Sequence, residues 1–158
     1  MTRRRKRTIW ISVLAAVVLL VGLYLATMMP RISAQRQTEA IAKKAGNLTR
    51  TTDFMIYHRQ QTYYAVAGYN QKDQLTYVIV NGKTGKIKVL AARRGLTQAA
   101  VRAQVQTQQA PQKIYGINLG IDAGEPVWEV ATKKRNGRLS YRLVDFYTGK
   151  TVDLIDNL

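Results

Sequence analysis

Thr84-Gly85-Lys86 and Thr148-Gly149-Lys150 are the first residues in this chain that invite chemistry. A phosphate loop needs more than this: a longer glycine-rich run that closes on a helix N-terminus, so that backbone N–H groups converge on the phosphate. Each copy here leads into another apolar strand candidate, so both read as turns with glycine at positive φ. His58 is the sole histidine and cysteine is absent. A zinc site would then rest on carboxylates alone, and His58 reads as a half-exposed residue at a strand end. A Ser–His–Asp triad needs a spare serine. Ser12 falls in an apolar run, Ser33 at a helix start, and Ser140 at a strand position that matches Thr76. Asp122 and Glu125 flank Gly124 and read as a polar turn, not as a carboxylate pair for acid/base work. No catalytic, metal-binding or cofactor-binding residue is expected, and hydrolase and glycosidase chemistry are set aside.

The aromatics Tyr63, Tyr64, Tyr69, Tyr77, Tyr141, Phe146 and Tyr147 would stack bases only if they lined one basic face. At alternate strand positions they read as core and rim, and no nucleic-acid partner is expected. Asn47-Leu48-Thr49 fits the N-glycosylation pattern, which matters only in a glycosylating pathway.

These residues sit in two copies of one unit. Leu75–Lys86 returns sixty-four residues later as Leu139–Lys150 without a gap, and nine of the twenty-nine positions from Thr62 to Leu90 are identical at that offset. A repeat of this size means one structural unit used twice. Each copy alone would bury a modest core, so the two are expected to pack on each other.

Within each copy the pattern predicts a helix followed by antiparallel strands. The first helix is expected to be capped by Ser33 and to run to Ala45, with Gly46 at its end and Ile41, Ala45 and Leu48 as its apolar stripe. The second, capped by Thr97, runs through Ala100, Val101 and Val105 and stops before Pro111. Strands are expected at Asp53–His58, Ile114–Ile121 and Leu75–Val80, with hairpin loops at Asn70–Gln74 and Lys133–Arg138. The second loop contains Asn136-Gly137, a strong turn signal. Leu75, Tyr77 and Ile79 share a face, which Tyr64 and Val66 are expected to complete; Thr76 and Val78, with Ser140 and Arg142 in the copy, mark the wetter face. Trp128 and Tyr141 are expected to face the second helix as Tyr64 and Tyr77 face the first. The join falls near Ala92–Leu96.

Before the repeats, Thr8 to Met29 carries no charge and follows five basic residues, Arg3 to Arg7. About 20 apolar residues in helix span a bilayer core, and Trp10 and Tyr24 sit toward the ends, where such rings favour the interface. The run is longer than a signal peptide's apolar region and lacks a good cleavage site. It is expected to be an uncleaved anchor ended by Pro30, with the basic N-terminus in the cytoplasm and the rest outside. The net charge is +16. From Arg31 to Leu96 there are twelve basic and three acidic residues; from Thr97 to Leu158, eight and six. A basic first repeat favours anionic partners.

The chain resembles the TseB-like (YpmB-like) cell-wall elongation regulators of Gram-positive bacteria. The resemblance rests on Tyr63-Tyr64-Ala65-Val66 with Tyr77-Val78-Ile79-Val80, and on Val127-Trp128-Glu129-Val130 followed by Tyr141 to Lys150. It implies an α+β fold: a basic tail at 1–7, a transmembrane helix at 8–29, and two tandem cystatin-like or PepSY-like helix-plus-antiparallel-sheet units at 31–92 and 96–158. It also implies a non-enzymatic adaptor on the outer face of the cell membrane, without cofactor, that meets a penicillin-binding protein of the elongation machinery. The alternatives are a binding module for anionic wall polymer or lipid surface, and a protease-inhibiting module; the latter has no inhibitory loop to support it.

Overall fold

Alternating apolar residues with Gly turns at matched positions give two four-stranded meanders. The computed structural model describes residues 3–156, without the side chains of residues 3–9, 11–12 and 25–31. Helix α1 spans Arg3–Ala45. The first sheet follows as β1 (Leu48–His58), β2 (Thr62–Asn70), β3 (Leu75–Asn81) and β4 (Ile87–Ala91); after a short 3-10 turn at Ala92–Arg94 comes α2 (Gln98–Gln109). The second sheet is β5 (Lys113–Asp122), β6 (Glu125–Lys133), β7 (Leu139–Asp145) and β8 (Thr151–Asp156). Both sheets are antiparallel with strands in sequential order. Val66 pairs with Val78 in the first and Val130 with Arg142 in the second, the same register at the sixty-four-residue offset. Both helices end at matching positions, Ala45 and Gln109. The fold is α+β, as expected from the repeat.

By contact the chain divides into residues up to Arg36 and a unit of Gln37–Leu158. In the first part the side chains of residues 13–24 are exposed. Among the described residues no helix is long and apolar enough to cross a membrane, and the expected span at 8–29 lies partly outside the described side chains. The expected break at Pro30 is absent, since the backbone is helical from Arg3 to Ala45. Proline's fixed φ is itself helical, and what a helix loses there is one N–H donor and some room. Ser33 therefore lies inside the helix and is no cap.

At its C-terminal end α1 packs with small residues, not with the expected stripe. Thr38 and Ala42 are buried, whereas Ile41 and Ala45 are exposed. Gly46 completes the row: a β-carbon there would lie 2.7 Å from Val78 Cγ2. The helix thus sits close on Val66, Val78 and Val80, and Leu48, the first residue of β1, closes the end of that cluster. In α2 the expected cap is present, with Thr97 Oγ1 accepting from Ala100 N at 3.2 Å, and Val101 and Val105 are buried.

The face assignments need correcting. In an antiparallel ladder, Tyr64 opposite Val80 and Tyr77 opposite Ala67 lie on opposite faces of the sheet. Trp128 opposite Val144 and Tyr141 opposite Ala131 are likewise on opposite faces. Thr76, Val78 and Ser140, expected on the wetter face, are buried, and Val78 is the residue α1 covers. The other face of the first sheet, with Ala65, Ala67, Tyr77 and Ile79, joins Val101, Val105, Trp128, Val130 and Val144 in one shared core. The two repeats pack on each other through this core.

Candidate functional site

Polar side chains gather where β1 and β5, one from each repeat, lie in contact. Tyr57, near the end of β1, is buried against Val127 and Leu143. Its hydroxyl donates to Asp122 Oδ1 at 3.1 Å. Two residues on, Arg59 Nη1 donates to Asp153 Oδ2 at 2.8 Å. Glu129 is half-buried beside them, held by the Asn118 amide. From α2, Gln98 Nε2 donates to Asp53 Oδ2 at 3.1 Å and to the Ile117 carbonyl at 3.0 Å, so one amide ties β1 to β5.

The electrostatics of this cluster suit Tyr57 to a structural role. Burial, followed by the neighbouring Asp122 carboxylate, pushes the Tyr57 phenol well above its ordinary range. A general base works best with a pKa near the operating pH, and Tyr57 stays neutral as a hydrogen-bond donor. Burial also raises Glu129. Asp153 is held below the usual carboxylate range by its hydrogen bond from Arg59. What the arrangement can do is hold two sheets in one orientation.

The aromatic core beside it does the same. Tyr77 and Trp128 meet edge to face at 5.3 Å between centroids, and Phe146 contacts both at 6.1 and 6.3 Å. Pairs of this kind add about 0.5–1.5 kcal/mol beyond their burial. The expected join is sewn into this trio: Trp128 Nε1 donates to the Leu96 carbonyl at 3.0 Å, and Leu96 N to the Phe146 carbonyl at 2.7 Å. Gly95 leaves no room for a side chain, since a β-carbon there would lie 2.4 Å from the Phe146 carbonyl oxygen.

The residues singled out from sequence fall elsewhere. Gly85 and Gly149 have φ of 68° and 71° in turns, as expected. Asn81 Oδ1 accepts from Lys83 N and Thr84 N at 2.9 Å each, and Asp145 Oδ1 from Thr148 N at 2.7 Å. The N–H groups a phosphate cradle would require are thus taken by the turn's own residue. His58 is exposed, its Nδ1 at 2.6 Å from Thr62 Oγ1. Among the described residues no three potential metal ligands cluster. Asp122 and Glu125 pair across the β5–β6 turn through Ala123-Gly124. Asn47 is an exposed left-handed residue with φ 51°. The aromatics form no common platform: Tyr64 stacks on Phe54, Tyr69 lies under Arg50, and Tyr77 and Phe146 are buried. Sequence reading missed Tyr57, Arg59 and Asp153, whose partners lie 65 and 94 residues away.

This architecture defines a class: tandem repeats, each a helix on a four-stranded meander. The sequence matches the Cell wall elongation regulator TseB-like domain over residues 37–81 and the Peptidase propeptide and YPEB domain (PepSY) over residues 95–154. It is 26% identical over 138 residues to "Probable cell wall elongation regulator TseB" of Bacillus subtilis (strain 168), covering 87% of this chain and 86% of that one. Among solved structures it is similar to the YpmB protein from Bacillus subtilis, with TM-score 0.65 and 25% identity over 77% of this chain and 95% of that one. Together these matches support a TseB/YpmB-like family for the chain.

Proposed function

We propose that the chain is a non-enzymatic regulator of cell-wall elongation, anchored in the cell membrane by residues 8–29 with its repeats outside. The observation that carries this reading is the likeness to the named TseB regulator, which leaves little of either chain unmatched. The anchor rests on the sequence: an uncharged run of spanning length behind five basic residues. A helix that continues from such a run into the first repeat suits a protein that works sideways in the membrane on another anchored protein. The partner we assign is a penicillin-binding transpeptidase of the elongation machinery. The basic first repeat orients the molecule on the anionic surface, and the nearly neutral second repeat makes the specific contact.

A second reading is favoured by the charge split, since the first repeat is much the more basic. In it the chain is a module for anionic wall polymer or lipid. Electrostatic attachment weakens steeply with salt, whereas a packed protein interface weakens less. The test is binding of residues 33–158 to anionic liposomes, to wall polymer and to the transpeptidase ectodomain across a range of salt. Salt-tolerant binding to the enzyme supports the regulator reading. Binding to lipid or polymer alone replaces it with the second.

A further inference from the structure

The position that closes the first repeat's core is open in the second. In the first repeat, α1 ends at Ala45, Gly46 lies against Val78, and Leu48 is buried over the end of the cluster. In the second, α2 ends at the matching Gln109 but turns at once through a left-handed Ala110 into Pro111. The residue matching Leu48 is Gln112, which is exposed. The residue matching Val78 is Arg142. A cleft of about 470 Å³ results, lined by Gln109, Lys134, Arg135, Ser140, Arg142 and Asp156 among others.

The groups in this cleft are held in place. Arg142 Nη1 donates to Thr151 Oγ1 at 2.7 Å. With the Gln109 amide oxygen turned toward it, Arg142 Nε and Nη2 donate there at 2.7 and 3.3 Å. Those bonds use three of the five guanidinium N–H donors, which leaves one on each of Nη1 and Nη2. Lys134 Nζ donates to Asp156 Oδ2 at 2.5 Å, so the single carboxylate is matched by one of three cations. Ser140 Oγ is buried and has no hydrogen-bond partner among the described residues. A buried polar group left in this way calls for a partner.

We propose that the cleft binds the oxyanion of a small ligand, a carboxylate or a phosphate ester. Arg142 supplies the charge-assisted bonds and Ser140 the hydrogen bond at the floor, while Arg135 adds attraction at the rim. A guanidinium held at its other donors is pre-organised for planar oxyanions. The proposal is independent of the partner assigned above, since it rests only on the second repeat's departure from the first.

The experiment follows amide and Arg Nε signals by NMR in the full chain in neutral detergent micelles. Inorganic phosphate and acetate are titrated separately at constant ionic strength against chloride. Saturable shifts at Ser140, Arg142 and Gln109 are expected. Arg142→Val, which installs the residue of the first repeat, should weaken binding by about tenfold or more. Arg142→Gln serves as the second variant if Val disturbs the fold, and Ser140→Ala should weaken binding by about threefold. Lys83→Ala, in a basic turn of the other repeat, should change nothing. A preference for phosphate or for acetate says which oxyanion the ligand carries, and either supports the site. Linear shifts without saturation, or binding equally strong in Arg142→Val and Arg142→Gln, would overturn it.

Discussion

Tyr57 stands over Gly120 so closely that a β-carbon at 120 would lie 2.2 Å from its Cγ and 2.6 Å from its Cβ. Those ring-root atoms cannot swing aside as a flexible chain end can. Gly120→Ala should therefore push the two repeats apart and cost at least about 1–3 kcal/mol, the usual range for overpacking. Urea denaturation checks it, and an unshifted midpoint would contradict the close approach.

Trp128 separates packing from hydrogen bonding. Trp128→Ala, at a fully buried site, should cost about 3–5 kcal/mol. Trp128→Phe keeps a ring against Tyr77 and Phe146 but leaves the Leu96 carbonyl without its donor, for about 1–3 kcal/mol. Thermal melts that rank the two equally would show that the ring contacts matter little.

The turn glycines form a paired experiment. A β-carbon at Gly85 would meet nothing, while one at Gly149 would lie 3.0 Å from Leu96 Cδ2 and 3.1 Å from Gln104 Oε1. Gly85→Ala should cost about 1–2 kcal/mol from its positive φ alone. Gly149→Ala should cost more, because Leu96 must also give way. Equal losses in chemical denaturation would mean the second turn relaxes freely.

Glu129 predicts a pH dependence. Burial holds its carboxyl above the ordinary glutamate range, so the folded chain takes up a proton more readily than the unfolded one. Its contribution to stability is full below the unfolded pKa and is lost as pH rises through the folded one. Glu129→Gln should melt above the parent near about pH 7, with the gap closing toward about pH 4. A gap that widens on acidification would reverse the assignment. Asp153, held low by Arg59, acts in the opposite sense, and its exposure keeps the effect small.

For topology, protease added to intact protoplasts should digest the chain after about Arg31 and leave a mature N-terminus upstream of Ala26. Protection of the repeats, or an N-terminus between Ala26 and Gln35, would contradict the anchored, outward arrangement.

What could be read in advance was what is local. Thr97 and Pro111 bracket α2, Gly85 and Gly149 mark their turns, and the sixty-four-residue offset foretells two sheets of equal strand order. Face assignment failed because it depends on register. Whether Tyr64 shares a face with Tyr77 is set by its partner across the ladder, Val80, which no single strand displays. The packed row of Thr38, Ala42 and Gly46 was missed because close approach selects small residues, whereas a search for stripes looks for large ones. The Tyr57–Asp122 and Arg59–Asp153 bonds join repeats that only the tertiary packing brings together. Arg142 was legible as a departure from Val78, but the cleft above it depends on where α2 turns.

Tyr77 must wait for its partners. As the chain is synthesised from its N-terminus, the first sheet is complete at Ala91, while Phe146 lies some fifty residues further on. At about 5–20 residues per second that interval lasts roughly 3–11 s. Early in it, until Val101 and Val105 of α2 follow, the face bearing Ala65, Ala67, Tyr77 and Ile79 lacks its cover from the second repeat. A chain that stalls near Arg94 therefore displays an apolar sheet to every chaperone and protease within reach. The second repeat covers that face in the finished molecule, so the two halves of the core are complete only together.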